Sequence, residues 1–131
     1  MVIIKVLTIK EPWASLIING YKMYEFRSWK TKYRGKILIH AGMTLEKDMA
    51  KRFKSYNLNY YKGEIIGEAT LVDCILVDEE FNKKLSDINP LVYGRSNHVE
   101  TYAWKLENVQ KFLFYIILQH NILCLIHVVN I

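Results

Sequence analysis

The fold and the site of this chain are both indicated by ten residues: Gly20-Tyr21-Lys22-Met23-Tyr24-Glu25-Phe26-Arg27-Ser28-Trp29. In an extended strand, successive side chains point to opposite faces. Glu25 and Arg27 are then neighbours on one face with Trp29 beside them, and Lys22, at the start of the strand, can turn to either side. A carboxylate between two cations and next to an aromatic plane suits a small polar ligand such as a nucleotide. The alternative that this chemistry leaves open is an ion pair on a surface edge strand.

The residues on either side of this stretch predict a strand, a short helix, a turn and a second strand. Leu7-Thr8-Ile9 is typical of a strand, and Pro12 fits the first position of the helix that follows. Gly20 fits the left-handed position just past the end of that helix. A basic loop over residues 30–36 then leads into a strand at 37–41.

The segment from about Lys5 to Gly42 resembles the ASCH domain family, named for homology with an activating signal cointegrator. The family motif G-x-K-x-x-E-x-R is matched by Gly20, Lys22, Glu25 and Arg27, and a Pro-Trp-Ala helix start precedes it. The resemblance continues more loosely as far as residues 102–107. It implies a PUA-like fold of the α+β class, which is a small mixed β-barrel with two or three short helices. Strands with interspersed short helices favour the same class.

The rest of the chain predicts a helix at 44–56, a strand at 64–77, a helix at 78–86, a loop at 89–98 and a strand at 101–106. Thr44 and Asp78 fit the N-caps of the two helices, and Gly67 marks a bend or bulge in the strand. The first helix has an apolar stripe of Leu45, Met49, Phe53 and Tyr56. From about residue 112 the chain departs from the family pattern. We expect two apolar strands there, joined near 119–121, rather than a membrane span.

Composition predicts one globular domain over residues 1–131. Hydrophobic residues make up 51% and charged residues 24% of the 131 residues, as in ordinary globular proteins. Cys74 and Cys124 lack metal-ligand spacing, and the N-terminus is charged too early for a signal peptide. We therefore expect a cytoplasmic protein with no metal, no cofactor and no membrane partner, and its oligomeric state stays open.

The net charge of +5 is unevenly distributed. Basic residues crowd the segment 22–36, and a second cluster, Lys47, Lys51, Arg52 and Lys54, falls on the predicted helix. A positive face with interleaved aromatic residues is typical of single-stranded RNA binding, where rings stack on bases and cations hold phosphates. The alternative is that the lysines only keep the surface soluble. Lys54→Ala is expected to matter little unless the second cluster also contacts the ligand.

The sequence thus predicts a module that binds single-stranded RNA, a nucleotide or a nucleoside. In this hypothesis Lys22 and Arg27 contact phosphate or a base carbonyl, while Glu25 orients Arg27 or accepts a hydrogen bond from a base. Tryptophans give an apolar wall, and basic residues of the following loop extend the phosphate track. The candidate ligand-binding residues are Trp13, Lys22, Glu25, Arg27, Trp29, Lys30, Lys32, Arg34 and His40.

Two other functions remain open. Some small ASCH-like proteins are amidohydrolases that remove the acyl group from acetylated cytidine, and the chain resembles them at Lys22 and Arg27. Lys22 and Glu25 are the catalytic candidates if this protein is such an enzyme. Those hydrolases carry Thr at the position of Glu25, so this chain lacks a hydroxyl that the chemistry needs. The third hypothesis is a protein-interaction module of the coactivator type, which predicts a large exposed apolar patch.

Overall fold

A computed structural model of the chain describes residues 2–117 and 126–130. They form six strands and four short α-helices: β1 Val2–Glu11, α1 Trp13–Ile18, β2 Tyr24–Arg27, β3 Gly35–Leu45, α2 Lys47–Arg52, β4 Glu64–Leu76, α3 Glu79–Ile88, α4 Pro90–Tyr93, β5 Tyr102–Ile117 and β6 Ile126–Asn130. A single 3₁₀ turn, Lys54–Tyr56, follows α2. The described residues form four α-helices, whereas the sequence predicts two or three. None of the described helices is both long and apolar enough to cross a membrane.

The strands form one mixed sheet in the order β2-β5-β4-β3-β1-β6. β1 pairs in parallel with β3 and β6, and the other neighbours pair antiparallel. This confirms the predicted α+β class with a mixed sheet and short helices. Pairing within the described ranges leaves β2 and β6 as the two edges, so the closed barrel stays a prediction.

The hydrophobic core is gathered around α1. Ile17 packs in one cluster with buried residues of β1, β3, β4 and β5, among them the fully buried Trp104. Leu16 packs in a second cluster with side chains of β2, α3, α4 and β5. Pro12 immediately precedes α1, and Gly20 has a φ of +82°, which confirms the predicted left-handed stop. Helix α1 therefore contributes to both clusters, and through the second of them it packs against β2.

The helix predicted at 44–56 is wrong at its start. Thr44 lies in β3, because the pairing of Glu11 with Leu45 prolongs that strand. The backbone N–H of Glu46 then donates to Glu11 O at 2.9 Å, and Glu46 is the N-cap of α2. Of the predicted apolar stripe, Phe53 is buried whereas Leu45 is exposed.

The second half of the chain follows the prediction more closely. The Asp78 side chain accepts a hydrogen bond from Phe81 N at 2.8 Å and caps α3, and the pairing of β4 with β5 shifts register at Gly67. The predicted loop at 89–98 instead contains α4, with Asn89 as its N-cap. The strand predicted at 101–106 continues to Ile117. The predicted junction near 119–121 lies outside the described residues.

Candidate functional site

The charged residues of the motif form one connected cluster. Lys22 Nζ lies 2.9 Å from Glu25 Oε1 and also donates to the backbone oxygen of Tyr24. Arg27 Nη2 lies 3.1 Å from Glu25 Oε2. Lys22 has therefore turned towards the face that Glu25 and Arg27 share. The carboxylate stands between the two cations.

This cluster is buried. Lys22 is 4% exposed and Glu25 is 8% exposed, so the alternative of a surface ion pair is excluded. Burial raises the pKa of Glu25, but the positive charges of Lys22 and Arg27 and their hydrogen bonds outweigh that effect and hold its pKa below the usual value. Burial lowers the pKa of Lys22, although the Glu25 carboxylate acts in the opposite direction. Paired charges with perturbed pKa values in a cleft are typical of functional sites.

Arg27 also connects two strands that are distant in the sheet. Its Nη2 donates to the backbone oxygen of Thr8, in β1, at 2.7 Å. Three strands, β5, β4 and β3, separate β2 from β1 in the sheet order. The sheet therefore curls until a side chain of β2 reaches the backbone of β1.

A cavity of about 540 Å³ lies beside this contact. That volume falls within the range of small-molecule sites in proteins, about 300–1,000 Å³. The cavity is lined by residues of β1, α1, β2 and β3 and of the segment around α4, namely Thr8, Lys10, Trp13, Lys22, Glu25, Phe26, Arg27, Gly42, Met43, Thr44, Val92, Ser96 and His98. We call it the motif cleft.

Aromatic rings stand on both sides of the Lys22 ammonium group. Nζ lies 5.9 Å from the ring centroid of Trp13 and 4.9 Å from that of Phe26. Trp13 Nε1 donates to Glu46 Oε2 at 3.3 Å, which fixes the indole. The motif cleft thus combines flat apolar walls with a charged end.

His98 lines the motif cleft, and its ring stacks on that of Phe26. The two rings stack with centroids 3.7 Å apart and an interplanar angle of 8°. His98 Nε2 is buried and has no hydrogen-bond partner in the described part of the chain. Burial, with a smaller effect of the Lys22 charge, lowers the pKa of His98 to about 4. The ring is therefore neutral at neutral pH.

The structure brings together four of the nine predicted ligand-binding residues in the motif cleft: Trp13, Lys22, Glu25 and Arg27. Trp29 is outside the lining but adjacent to it, since the Arg27 guanidinium lies 5.8 Å from its ring centroid. His40 is also outside the lining, with its Nδ1 3.1 Å from the hydroxyl oxygen of Thr8.

The three basic loop residues lie on the surface away from the cleft lining. Lys30 and Lys32 are exposed. Arg34 folds back on its own loop, where Nη1 donates to the backbone oxygens of Thr31 at 3.0 Å and Tyr33 at 2.8 Å. The guanidinium of Arg34 therefore holds the loop together.

Sequence reasoning missed Phe26 and His98 as residues of the site. Strand alternation places Phe26 on the face opposite Glu25, yet β2 has only four residues and both of its faces border the cavity. His98 lies 71 positions after Arg27 in the sequence, in the segment after α4, where its backbone N–H donates to Asn82 Oδ1 of α3 at 3.0 Å. The sequence feature nearest to His98 is Asn89-Pro90 at the start of α4, which indicates a helix start but no ligand-binding residue.

Fold and site together define a charged cleft of small-molecule size built on a mixed sheet, and comparison with known proteins identifies the family. The family model described as "ASCH domain" matches residues 7–116, and the chain belongs to this family. It is similar to human "Activating signal cointegrator 1", with 32% identity over an alignment of 97 residues, and the match covers 63% of the chain. The mouse protein of the same name is 30% identical over 95 residues. The aligned region covers only 16% of either relative.

Solved structures show the same fold. The crystal structure of ASCH from Zymomonas mobilis matches 87% of this chain and 73% of its own, with a TM-score of 0.54 and 18% identity. A tyrosine-to-phenylalanine mutant of that bacterial protein matches 87% of this chain and 76% of its own, with a TM-score of 0.52 and 18% identity. At this level of identity the likeness concerns the fold alone.

Proposed function

We propose that this protein binds single-stranded RNA by taking one nucleotide into the motif cleft. The observation that carries the proposal is the buried Lys22–Glu25–Arg27 cluster at one end of a cavity with aromatic walls. Two cations and one carboxylate leave the cluster with an excess positive charge. An unstacked base with its phosphate offers the flat surface and the anionic oxygens that such a cavity accommodates.

Within this cluster the two cations have different roles. The Lys22 side chain is 3% exposed and is committed to Glu25 and to the Tyr24 backbone, so it holds the carboxylate in place. The Arg27 side chain is 20% exposed and is the cation that a ligand reaches. Glu25 accepts from Lys22, Arg27 and the backbone N–H of Phe26, which supports an orienting role for it.

The base is held by the walls of the cleft. Trp13 and Phe26 both line the cavity, which supports them as the stacking surfaces of this proposal. Trp29 lies against Arg27 and is 48% exposed, so it marks where the RNA leaves the cleft. Lys30 and Lys32 follow on the surface and extend the phosphate track, while Arg34 shapes the loop.

An anisotropy titration of a short single-stranded RNA tests the proposal. Tight binding that weakens with salt and depends on Arg27 supports it. Failure of the wild-type protein to bind at low salt overturns it.

One observation favours a second candidate, the amidohydrolase acting on acetylated cytidine. Burial lowers the pKa of Lys22, as in lysines that act as bases or nucleophiles, and the cavity accommodates a nucleoside. Against it, the Lys22 ammonium is bound to the Glu25 carboxylate. Incubation with acetylated cytidine and detection of free acetate decides between the two, with Lys22→Arg as the control variant.

A further inference from the structure

A second cavity, of about 530 Å³, lies on the α2 side of the domain. Ala50, Phe53 and Leu58 give it an apolar lining, and Phe53 is fully buried. Lys47, Lys51 and Lys54 also line it. We call this cavity the lysine basin. It combines an apolar lining with three exposed cations.

The three lysines of the basin lack counter-charges. None of them forms an ion pair within the part of the chain that the structure describes, and all three are exposed. Lys47 and Lys51 are four positions apart, so their like charges lie on one side of α2 and repel each other. An anion bound between them relieves that repulsion.

One layer of packed side chains separates the lysine basin from the motif cleft. Trp13 lines the cleft and packs edge-on against Phe53, which lines the basin, with ring centroids 5.7 Å apart. Along β3, Thr44 lines the cleft and the next residue, Leu45, lines the basin. Thr44 and Leu45 are both exposed, so a chain that leaves the cleft over this part of β3 reaches the lysines on the surface.

We propose that the lysine basin is a second nucleotide subsite, which takes the neighbouring nucleotide of the same single-stranded RNA. The ammonium groups hold its phosphate, and the apolar lining receives its base or ribose. This inference rests on the proposed function for the orientation of the RNA. Nevertheless, it predicts a contribution from residues that are separate from the motif cluster.

The test compares three variants by anisotropy titration of a short single-stranded RNA between roughly 50 and 200 mM salt. The double variant Lys51→Ala/Lys54→Ala removes two of the three positive charges that line the basin. Lys83→Ala/Lys84→Ala removes the same charge from exposed positions of α3 and is the matched control. Arg27→Ala tests the cleft separately. We expect a nucleoside monophosphate to compete first at the motif cleft, where the buried charged cluster lies, and only then at the exposed lysines of the basin.

We expect the basin variant to lose roughly tenfold in affinity for RNA while its affinity for the nucleoside monophosphate is unchanged. The slope of log K against log salt should fall by about 0.7, since the basin holds one phosphate and each phosphate contact on a single strand contributes about 0.7. Wild-type affinity in the basin variant, or an equal loss in the α3 control, overturns the inference. Loss in the basin variant with none in Arg27→Ala supports the basin and overturns the cleft proposal instead.

Discussion

Arg27 Nη2 donates a hydrogen bond to the backbone oxygen of Thr8 at 2.7 Å, and this contact joins β2 to β1 across the curled sheet. The same nitrogen lies 3.1 Å from Glu25 Oε2. One guanidinium therefore connects the fold to the charged cluster of the site. A lysine side chain ends nearer the backbone than Nη2 does, so its ammonium group does not reach both oxygens with the same geometry.

Arg27→Lys is therefore expected to destabilise the protein although the charge is kept. The lost hydrogen bond to Thr8 and the weakened pairing with Glu25 correspond to about 1–2 kcal/mol of unfolding free energy. Urea denaturation of the variant and the wild type measures this difference. Lys83→Arg on the exposed face of α3 is the control, because it exchanges lysine and arginine at a position outside the cluster. Equal stability of Arg27→Lys and wild type contradicts the bridging role.

Lys22→Met is expected to cost more than Arg27→Lys. Glu25 is 8% exposed and loses one of its two cations, and an incompletely paired buried carboxylate destabilises a fold strongly. We expect a loss of roughly 3 kcal/mol of unfolding free energy, at the low end for a broken buried pair because Arg27 remains. The double variant Lys22→Met/Glu25→Leu should recover part of the loss in urea denaturation. A single variant as stable as the wild type contradicts this account of the cluster.

Glu25 should make stability depend on pH in the acid range. Its folded pKa lies below the ordinary value of 4.5, so its contribution is fully present above pH 4.5 and is lost as the pH falls through the folded pKa. Glu25→Gln should therefore be less stable than the wild type at neutral pH, and the difference should narrow below pH 4.5. Denaturation of both proteins across this range measures it. A difference that does not change with pH contradicts an ionised, paired Glu25.

His98 should add a separate pH dependence. Its folded pKa of about 4 lies below the ordinary value of 6.5, so its contribution is present above pH 6.5 and is lost as the pH falls towards 4. His98→Phe keeps the stacking on Phe26 and removes the titrating group. Thermal unfolding at several pH values should show the wild type losing stability relative to this variant between pH 6.5 and 4. Parallel curves for the two proteins contradict a buried neutral imidazole.

The part of the fold that local chemistry determines could be predicted from the sequence. Gly20 adopts the left-handed conformation that ends α1, and Asp78 caps α3, because each depends on a few adjacent residues. Glu25 and Arg27 meet because a strand alternates its faces. The start of α2 could not be predicted, since β3 is prolonged through Thr44 by pairing with β1, which is distant in sequence.

The site was predictable to a similar extent. The sequence indicated the charged end of the motif cleft, because Lys22, Glu25 and Arg27 are neighbours in the chain. Its wall could not be predicted, because the stacking of His98 on Phe26 joins two residues that are distant in the sequence. Nor does the sequence show that Arg34 folds back onto Thr31 and Tyr33, because those contacts depend on the conformation of the loop.

The measurement that tests the central claim most directly is the anisotropy titration of single-stranded RNA with wild type, Arg27→Ala and Lys83→Ala at low and moderate salt. Arg27→Ala should weaken binding by about 1–3 kcal/mol, the cost of one direct charged contact. Lys83→Ala removes a surface charge of the same sign and should bind like the wild type. Equal losses in the two variants, or no binding by the wild type at low salt, contradict RNA recognition by the motif cleft.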